Sequence, residues 1–300
     1  MSRAAPFGAA PVDAVLADGR RHFQHGPIDL VIEAYGAGHE VRFAYEQAWA
    51  RFETILGELV DELPLLRAPL GQADGQRPKG PVARRMAAAC ARHADRFVTP
   101  MAAVAGAVAD EVLEALAAGR VLQKAYVNNG GDVALHLRPG ASFDTGMVSL
   151  AETPEAVGKI SVQSTSPVRG IATSGWRGRS LSLGIADAVT VLARNAAEAD
   201  AAATLIANEV NVEHRVIDRV PAFELDPDSD LGERLVTVEV GDLPMSAIGG
   251  ALTAGAGAAQ SMVADGRIIA AHLVLQRQVQ TLGAPSSLNA IIHDKESAAA

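Results

Sequence analysis

Asp200 and Thr204 stand four positions apart in a run of small residues, Ala196-Ala-Glu-Ala-Asp-Ala-Ala-Ala-Thr-Leu-Ile-Ala. Residues spaced i and i+4 share a helix face, so the carboxylate and the hydroxyl can address one hard cation. Upstream, Ala172-Thr173-Ser174-Gly175 reads as a small-residue turn whose backbone N–H groups can receive an anion. Arg169, Arg177 and Arg179 cluster around Trp176, on either side of that turn. A cation position beside an anion cradle is what a metal–phosphate site needs. The same residues also suit plain structure: an exposed acid, a hydroxyl bonded back to its own helix, and solvated charge.

Further candidates are fewer. Asn129-Gly130-Gly131-Asp132 favours a tight turn, because these residue types adopt positive φ at low cost; it is either a hairpin end or part of a ligand pocket. His136 follows that turn and is the nearest general base, or else a half-buried structural histidine. Arg177 and Arg179 are the candidates to hold a substrate carboxylate or phosphate. Asp110 and Cys90 read as structural. The sequence has no Ser-His-Asp or HExxH pattern.

The elements that must position these residues are read from composition and periodicity. With 300 residues, 49% hydrophobic and 20% charged, the chain has the make-up of a globular protein. A net charge of −9 argues against nucleic acid or an anionic membrane as main partner. The single cysteine excludes an intrachain disulfide and fits a reducing compartment. No signal-like apolar run opens the sequence, and 243–264 is too weakly apolar to span a membrane, so a cytoplasmic protein with a small-molecule ligand is expected. The small-residue helices make a homo-oligomer plausible.

Along the chain, 1–18 reads as loosely held and 22–35 as a hairpin. Residues 40–63 form an amphipathic helix stopped at Pro64, 64–81 a loop, and 82–97 a basic helix. Thr99 is placed to cap a small-residue helix ending near Gly119. Strands are expected over 126–137 and within 143–168. A surface loop follows at 219–232, a strand at 234–240, a helix at 249–264 and one strand at 267–278. The expected organisation is a flexible segment 1–20, one domain over 21–282 and a disordered tail 283–300. The run from Pro100 to Arg120 echoes that from Pro244 to Arg267, by chance or through a duplicated α/β unit. Strands without strict alternation with helices favour α+β.

The ordered motifs resemble the ApbE-like superfamily, whose members include the FAD:protein FMN transferases, and within it the UPF0280 branch. They are Gly106-Ala-Val-Ala-Asp110, Val127-Asn-Asn-Gly-Gly-Asp132, Ala172-Thr-Ser-Gly175 with Arg179 after it, and Ala199-Asp-Ala-Ala-Ala-Thr204. The resemblance implies an α+β fold with a mixed sheet and small-residue helices, two intimately packed α/β units being one form of it. It implies a site for Mg²⁺ and the pyrophosphate of FAD, with Asp200 and Thr204 on the metal. Asn129, Gly130, Gly131, Asp132, Thr173, Ser174 and Gly175 would line the pocket. Two departures argue against FMN transfer itself: Ala105 stands where the transferases have Lys, and their His before an Asp-Pro pair has no counterpart. The readings are therefore a Mg²⁺-dependent enzyme acting on a flavin or another phosphate-bearing molecule, a small-molecule hydrolase using His136 or an Asp, or a flavin carrier without catalysis.

Overall fold

The computed structural model describes residues 10–71, 76–148 and 156–283. The chain forms two compact units, one of Met1–Pro139, Val168–Ala172 and Leu192–Ala201, the other of Gly140–Pro167, Thr173–Val191 and Ala202–Ala300.

The first unit opens with strands β1 (Val12–Val15), β2 (Arg21–His25) and β3 (Ile28–Gly36), followed by helices α1 (Gly38–Asp61), α2 (Leu63–Leu66) and α3 (Pro81–Ala91). A short 3-10 turn, Pro100–Ala103, leads into α4 (Val104–Ala117), β4 (Leu122–Asn129) and β5 (Asp132–Leu137). β8 (Gly170–Ser174), β9 (Ala188–Ala193) and α5 (Ala196–Glu209) run from this unit into the other. Neighbouring strands β1 to β5 pair antiparallel, and β5 pairs with β8 through Val133↔Ile171 and Ala134↔Gly170. α1 buries Ala44, Ala48, Phe52, Ile55, Leu56 and Leu59, a stripe at helical spacing. It meets the alternate buried residues Ile28, Leu30 and Ile32 of β3. Phe23 joins the helix to the sheet, its ring 5.0 Å from Trp49 and 5.4 Å from Phe52. Full burial of one such side chain stabilises by roughly 1.5–3 kcal/mol, so this cluster is the anchor of the unit.

The second unit holds β6 (Ser142–Val148), β7 (Ala156–Gln163), β10 (Ile217–Pro221), α6 (Ala222–Leu225), β11 (Leu235–Val240), α7 (Met245–Ala264), β12 (Ala270–Leu275) and β13 (Gln278–Gly283). β6–β7, β10–β11 and β12–β13 are antiparallel hairpins. α7 lies on β12 and β13. The fold is α+β, as the motifs implied, and the strand pairs described above are antiparallel where a mixed sheet was expected.

The sequence echo has a structural counterpart. α4 ends at Gly119 (φ +68) before β4 and β5; α7 ends near Gly266 (φ +65) before β12 and β13. Each is a small-residue helix, a left-handed glycine and a hairpin.

Several expectations are corrected. Val12–Val15 is an edge strand, not loose chain. Pro64 falls at the start of α2, a position proline suits because the N–H there has no helical acceptor. The basic helix ends at Ala91, and Thr99 makes no side-chain cap. Ala172-Thr-Ser form the end of β8, not a turn, and Ala188–Ala193 is a wholly buried strand. The surface loop at 219–232 contains the end of β10 and α6. The strand at 267–278 is a hairpin turning at Gln276 and Arg277. The tail from 284 onward lies outside the described residues.

Candidate functional site

In the first unit the motifs converge on one peptide group. The Ala105–Gly106 peptide offers its carbonyl to Asn129 Nδ2 at 3.1 Å and its N–H to Asp200 Oδ2 at 3.0 Å. Asn129 is buried at the last position of β4, and Gly130 (φ +66) and Gly131 (φ +117) close the hairpin in the left-handed region. Gly131 N donates to Asn128 Oδ1 at 2.8 Å, and Asn129 pairs with Asp132 across the turn. Gly106 is required by a close approach: a Cβ there would strike the Ala196 carbonyl.

Asp200 sits in the second turn of α5, and Thr204 one turn further on. Burial raises the Asp200 carboxyl above the ordinary range, against the lowering effect of the Gly106 and Ala105 N–H groups. The charge that acts on it is another carboxylate, Asp110, and pushes the same way. Thr204 is half-buried, and its hydroxyl has no hydrogen-bond partner among the described residues.

Asp110 carries the reciprocal contact. Its Oδ1 and Oδ2 accept the N–H groups of Ala196 and Ala197, each at 2.9 Å, while Asn195 Oδ1 accepts Glu198 N at 2.8 Å. Three of the N–H groups that α5 cannot satisfy internally are thereby closed. Burial raises the Asp110 carboxyl to about 6, with these backbone bonds opposing it.

His136 is among the residues lining a cleft of about 490 Å³, with Arg85, Asp110, Glu114 and Asn195. Its Nε2 is buried without a protein partner. Burial lowers its basicity, Arg138 and Arg169 add to that, and a backbone bond at Leu122 opposes it. Arg85 is held by Glu111 at 2.9 Å and by Glu114.

The second unit arranges another set. Thr173 and Thr190 hydroxyls meet at 2.9 Å across β8 and β9. Ser174 is half-buried and Gly175 is buried, packed where a Cβ would meet the Asp187 carbonyl at 2.6 Å. The Arg177 guanidinium lies 4.4 Å over the Trp176 ring, and its Nε donates to Asp187 Oδ1 at 3.1 Å. Arg179 is exposed on the same loop. Asn195, Asp187 and the 276–277 turn were not singled out from sequence. Their partners are distant along the chain, and only the residue types, an Asn before a helix and an Asp before a buried run, hinted at anchoring.

Among the described residues no three His, Cys, Asp or Glu side chains form a metal cage, and no helix is long and apolar enough to cross a membrane. An Asp–Thr oxygen pair on a helix fits a hard cation that keeps waters and ligand oxygens in its shell. A half-buried carboxylate whose charged neighbour is another carboxylate is also electrostatically suited to one.

The family model described as AbpE bacteria matches residues 13–281. A UPF0280 protein of Methanothermobacter thermautotrophicus is 37% identical over 142 residues, 44% of this chain and 50% of that protein. A UPF0280 protein of Methanopyrus kandleri is 38% identical over 150 residues, 49% of this chain and 59% of that protein. The chain thus spans about half the length of the curated relatives it matches. Among solved structures, the apo form of Pseudomonas stutzeri flavinyl transferase ApbE aligns over 91% of this chain and 93% of its own, at 14% identity and a TM-score of 0.45. The extent of the family match gives one conclusion: the chain belongs to the AbpE bacteria family.

Proposed function

We propose that this protein is an ApbE-like, divalent-metal-dependent enzyme acting on a flavin or another phosphate-bearing small molecule, with Asp200 and Thr204 as the metal's protein ligands. The observation that carries the reading is the setting of Asp200. Its carboxylate is half-buried, fixed by the Gly106 N–H, and the charge that acts on it is the Asp110 carboxylate and not a cation. A divalent ion there would polarise a phosphoryl oxygen and screen charge as a pyrophosphate breaks.

The chain's own residues bind and orient. Asn129 and Asp200 fix the Ala105–Gly106 peptide from its two ends, which locks α4 against the glycine turn. Gly130, Gly131 and Asp132 of the first unit are assigned to the ligand. Arg177 and Arg179 are assigned to the anionic group. Ala105 in place of the transferase lysine turns the assignment toward cleavage of the phosphate-bearing molecule and away from FMN transfer to protein.

Incubation with FAD and Mg²⁺, followed by chromatography, tests this. Release of AMP or FMN that is lost in Asp200→Asn supports the reading; no turnover and no flavin binding refute it.

A second reading is favoured by one observation. His136 is among the residues lining the cleft that Asp110 and Asn195 also line, and its Nε2 is buried without a protein partner. A neutral imidazole there suits a hydrolase in which His136 takes a proton from water. Activity on a phosphate-free ester that is abolished by His136→Gln but kept in Asp200→Asn would select it.

A further inference from the structure

Both oxygens of the Asp187 carboxylate are engaged by loops. Oδ1 accepts the indole N–H of Trp176 at 3.3 Å and the Nε–H of Arg177 at 3.1 Å. Oδ2 accepts the backbone N–H of Gln276 at 2.6 Å. The Asp187 N–H donates to the Val274 carbonyl at 2.9 Å. One residue therefore ties the loop after β8 to the turn between β12 and β13.

On the first of these loops Arg177 is fixed in three ways: by its Nε bond, by stacking 4.4 Å over Trp176, and by the Trp176 bond to the same oxygen. Its two terminal nitrogens make no hydrogen bond to protein among the described residues. The side chain keeps 36% of its exposure. A guanidinium held by Nε and stacked on a ring presents a planar fork outward, with its rotamer freedom already lost on folding.

The second loop is strained in a way the fold only half explains. Gln276 (φ 44) and Arg277 (φ 68) are the non-glycine residues with positive φ among those described. Asn-Gly would suit such a turn with less strain. Gln276 has a structural reason to be there: its Oε1 accepts Leu243 N at 3.0 Å and its Nε2 donates to the Gly241 carbonyl at 2.7 Å. Arg277 has none. It is exposed, and its side chain makes no hydrogen bond or ion pair among the described residues. Strain held at a position whose side chain the fold does not use is found where ligands bind.

We propose that Arg177 and Arg277 are two arms of a receptor for a phosphate or pyrophosphate group, and that Asp187 is the residue that positions them. The assignment deepens the anion half of the proposed function and rests on it for its enzymatic context, but not on the metal. Asp187 does not touch the anion. It keeps Arg177 flat on Trp176 and holds the 276–277 turn beside that loop.

The test is calorimetric titration of the full chain with inorganic pyrophosphate, without divalent metal, at low and at moderate salt. The wild type is expected to bind with an affinity that falls as salt rises. Arg177→Gln and Arg277→Asn should each weaken binding by about tenfold or more. Asparagine tolerates the left-handed region, so the second variant keeps its turn. Arg177→Lys should restore little, because an ammonium cannot reproduce the fork. Asp187→Asn should weaken binding while its circular dichroism and melting remain those of a folded protein. Binding that appears only once Mg²⁺ is added would belong to the metal reading and would overturn this assignment. No binding by the wild type at millimolar pyrophosphate, or wild-type affinity in both Arg177→Gln and Arg277→Asn, would overturn it.

Discussion

Asp110 and Asp200 each close the N-terminus of the helix that carries the other. Asp110, on α4, accepts the N–H groups of Ala196 and Ala197 at the start of α5; Asp200, on α5, accepts Gly106 N–H at the start of α4. The helix N-terminus favours negative charge through its unpaired N–H groups and its dipole. Both carboxylates are nonetheless largely withdrawn from water and near one another, so desolvation raises each above the ordinary range. The exchange locks the two helices together with Gly106 against Ala196, and it fixes the orientation of the residue assigned to the metal.

Replacing Asp110 tests the lock. Asp110→Ala leaves two N–H groups of α5 without acceptors and is expected to cost about 1–3 kcal/mol in urea unfolding. The pH dependence has a definite sign. The folded value, raised to about 6, lies above that of the unfolded chain, so the folded state holds the proton longer. The stability tied to that proton is complete below roughly pH 4 and lost as pH rises through about 6. The gap between wild type and Asp110→Asn should therefore be wider at pH 5 than at pH 8; a gap that widens toward pH 8 would contradict the burial argument.

Gly106→Ala should be among the more damaging single-methyl additions in the first unit. Its Cβ meets the backbone carbonyl of Ala196, not a side chain that can turn away. Overpacking of this kind costs about 1–3 kcal/mol, and here it also pulls Gly106 N from Asp200. Thermal melting compared with Gly57→Ala, whose added Cβ meets nothing within 4 Å, provides the control. Equal melting temperatures would show that the helices do not need the close approach.

His272 predicts an acid-sensitive element in the second unit. It is 2% exposed, its Nδ1 pairs with Thr281 Oγ1 at 3.0 Å, and its Nε2 is buried without a protein partner. Burial lowers its pKa below the ordinary histidine value. The unfolded chain then binds the proton first, so the stability carried by the neutral ring is present above pH of about 6.5 and lost as pH falls. His272→Leu should flatten the fall in urea midpoint between pH 7 and pH 5. An unchanged slope would show that the ring does not titrate out of its buried state.

The parts of this architecture that were legible in the sequence are those set by local chemistry. The apolar stripe from Ala44 to Leu59 marked α1, and the Asn129-Gly-Gly-Asp132 run marked the turn between β4 and β5. The Asp200–Thr204 spacing placed both residues on one face of α5. What escaped was non-local. The six residues of β9 are all buried and all apolar but Thr190, so periodicity cannot distinguish them from the helix that follows. The Gln276–Arg277 turn lacks the glycine or asparagine that signals positive φ; it is held by Asp187, Gly241 and Leu243, all remote in sequence. Asp110 reads as structural from sequence and is so, but its partners lie 86 and 87 residues away, beyond any motif.

Binding of Mn²⁺ as a paramagnetic stand-in for Mg²⁺, followed by electron paramagnetic resonance on wild type, Asp200→Asn and Thr204→Val, tests the central claim most directly. Asn at 200 keeps an oxygen for Gly106 N–H, and Val at 204 keeps the shape of Thr, so both variants are expected to fold. The account predicts one bound ion per chain in the wild type, strengthened by pyrophosphate, and at least about tenfold weaker binding in each variant. Identical Mn²⁺ binding in all three proteins, or none in the wild type with pyrophosphate present, would contradict it.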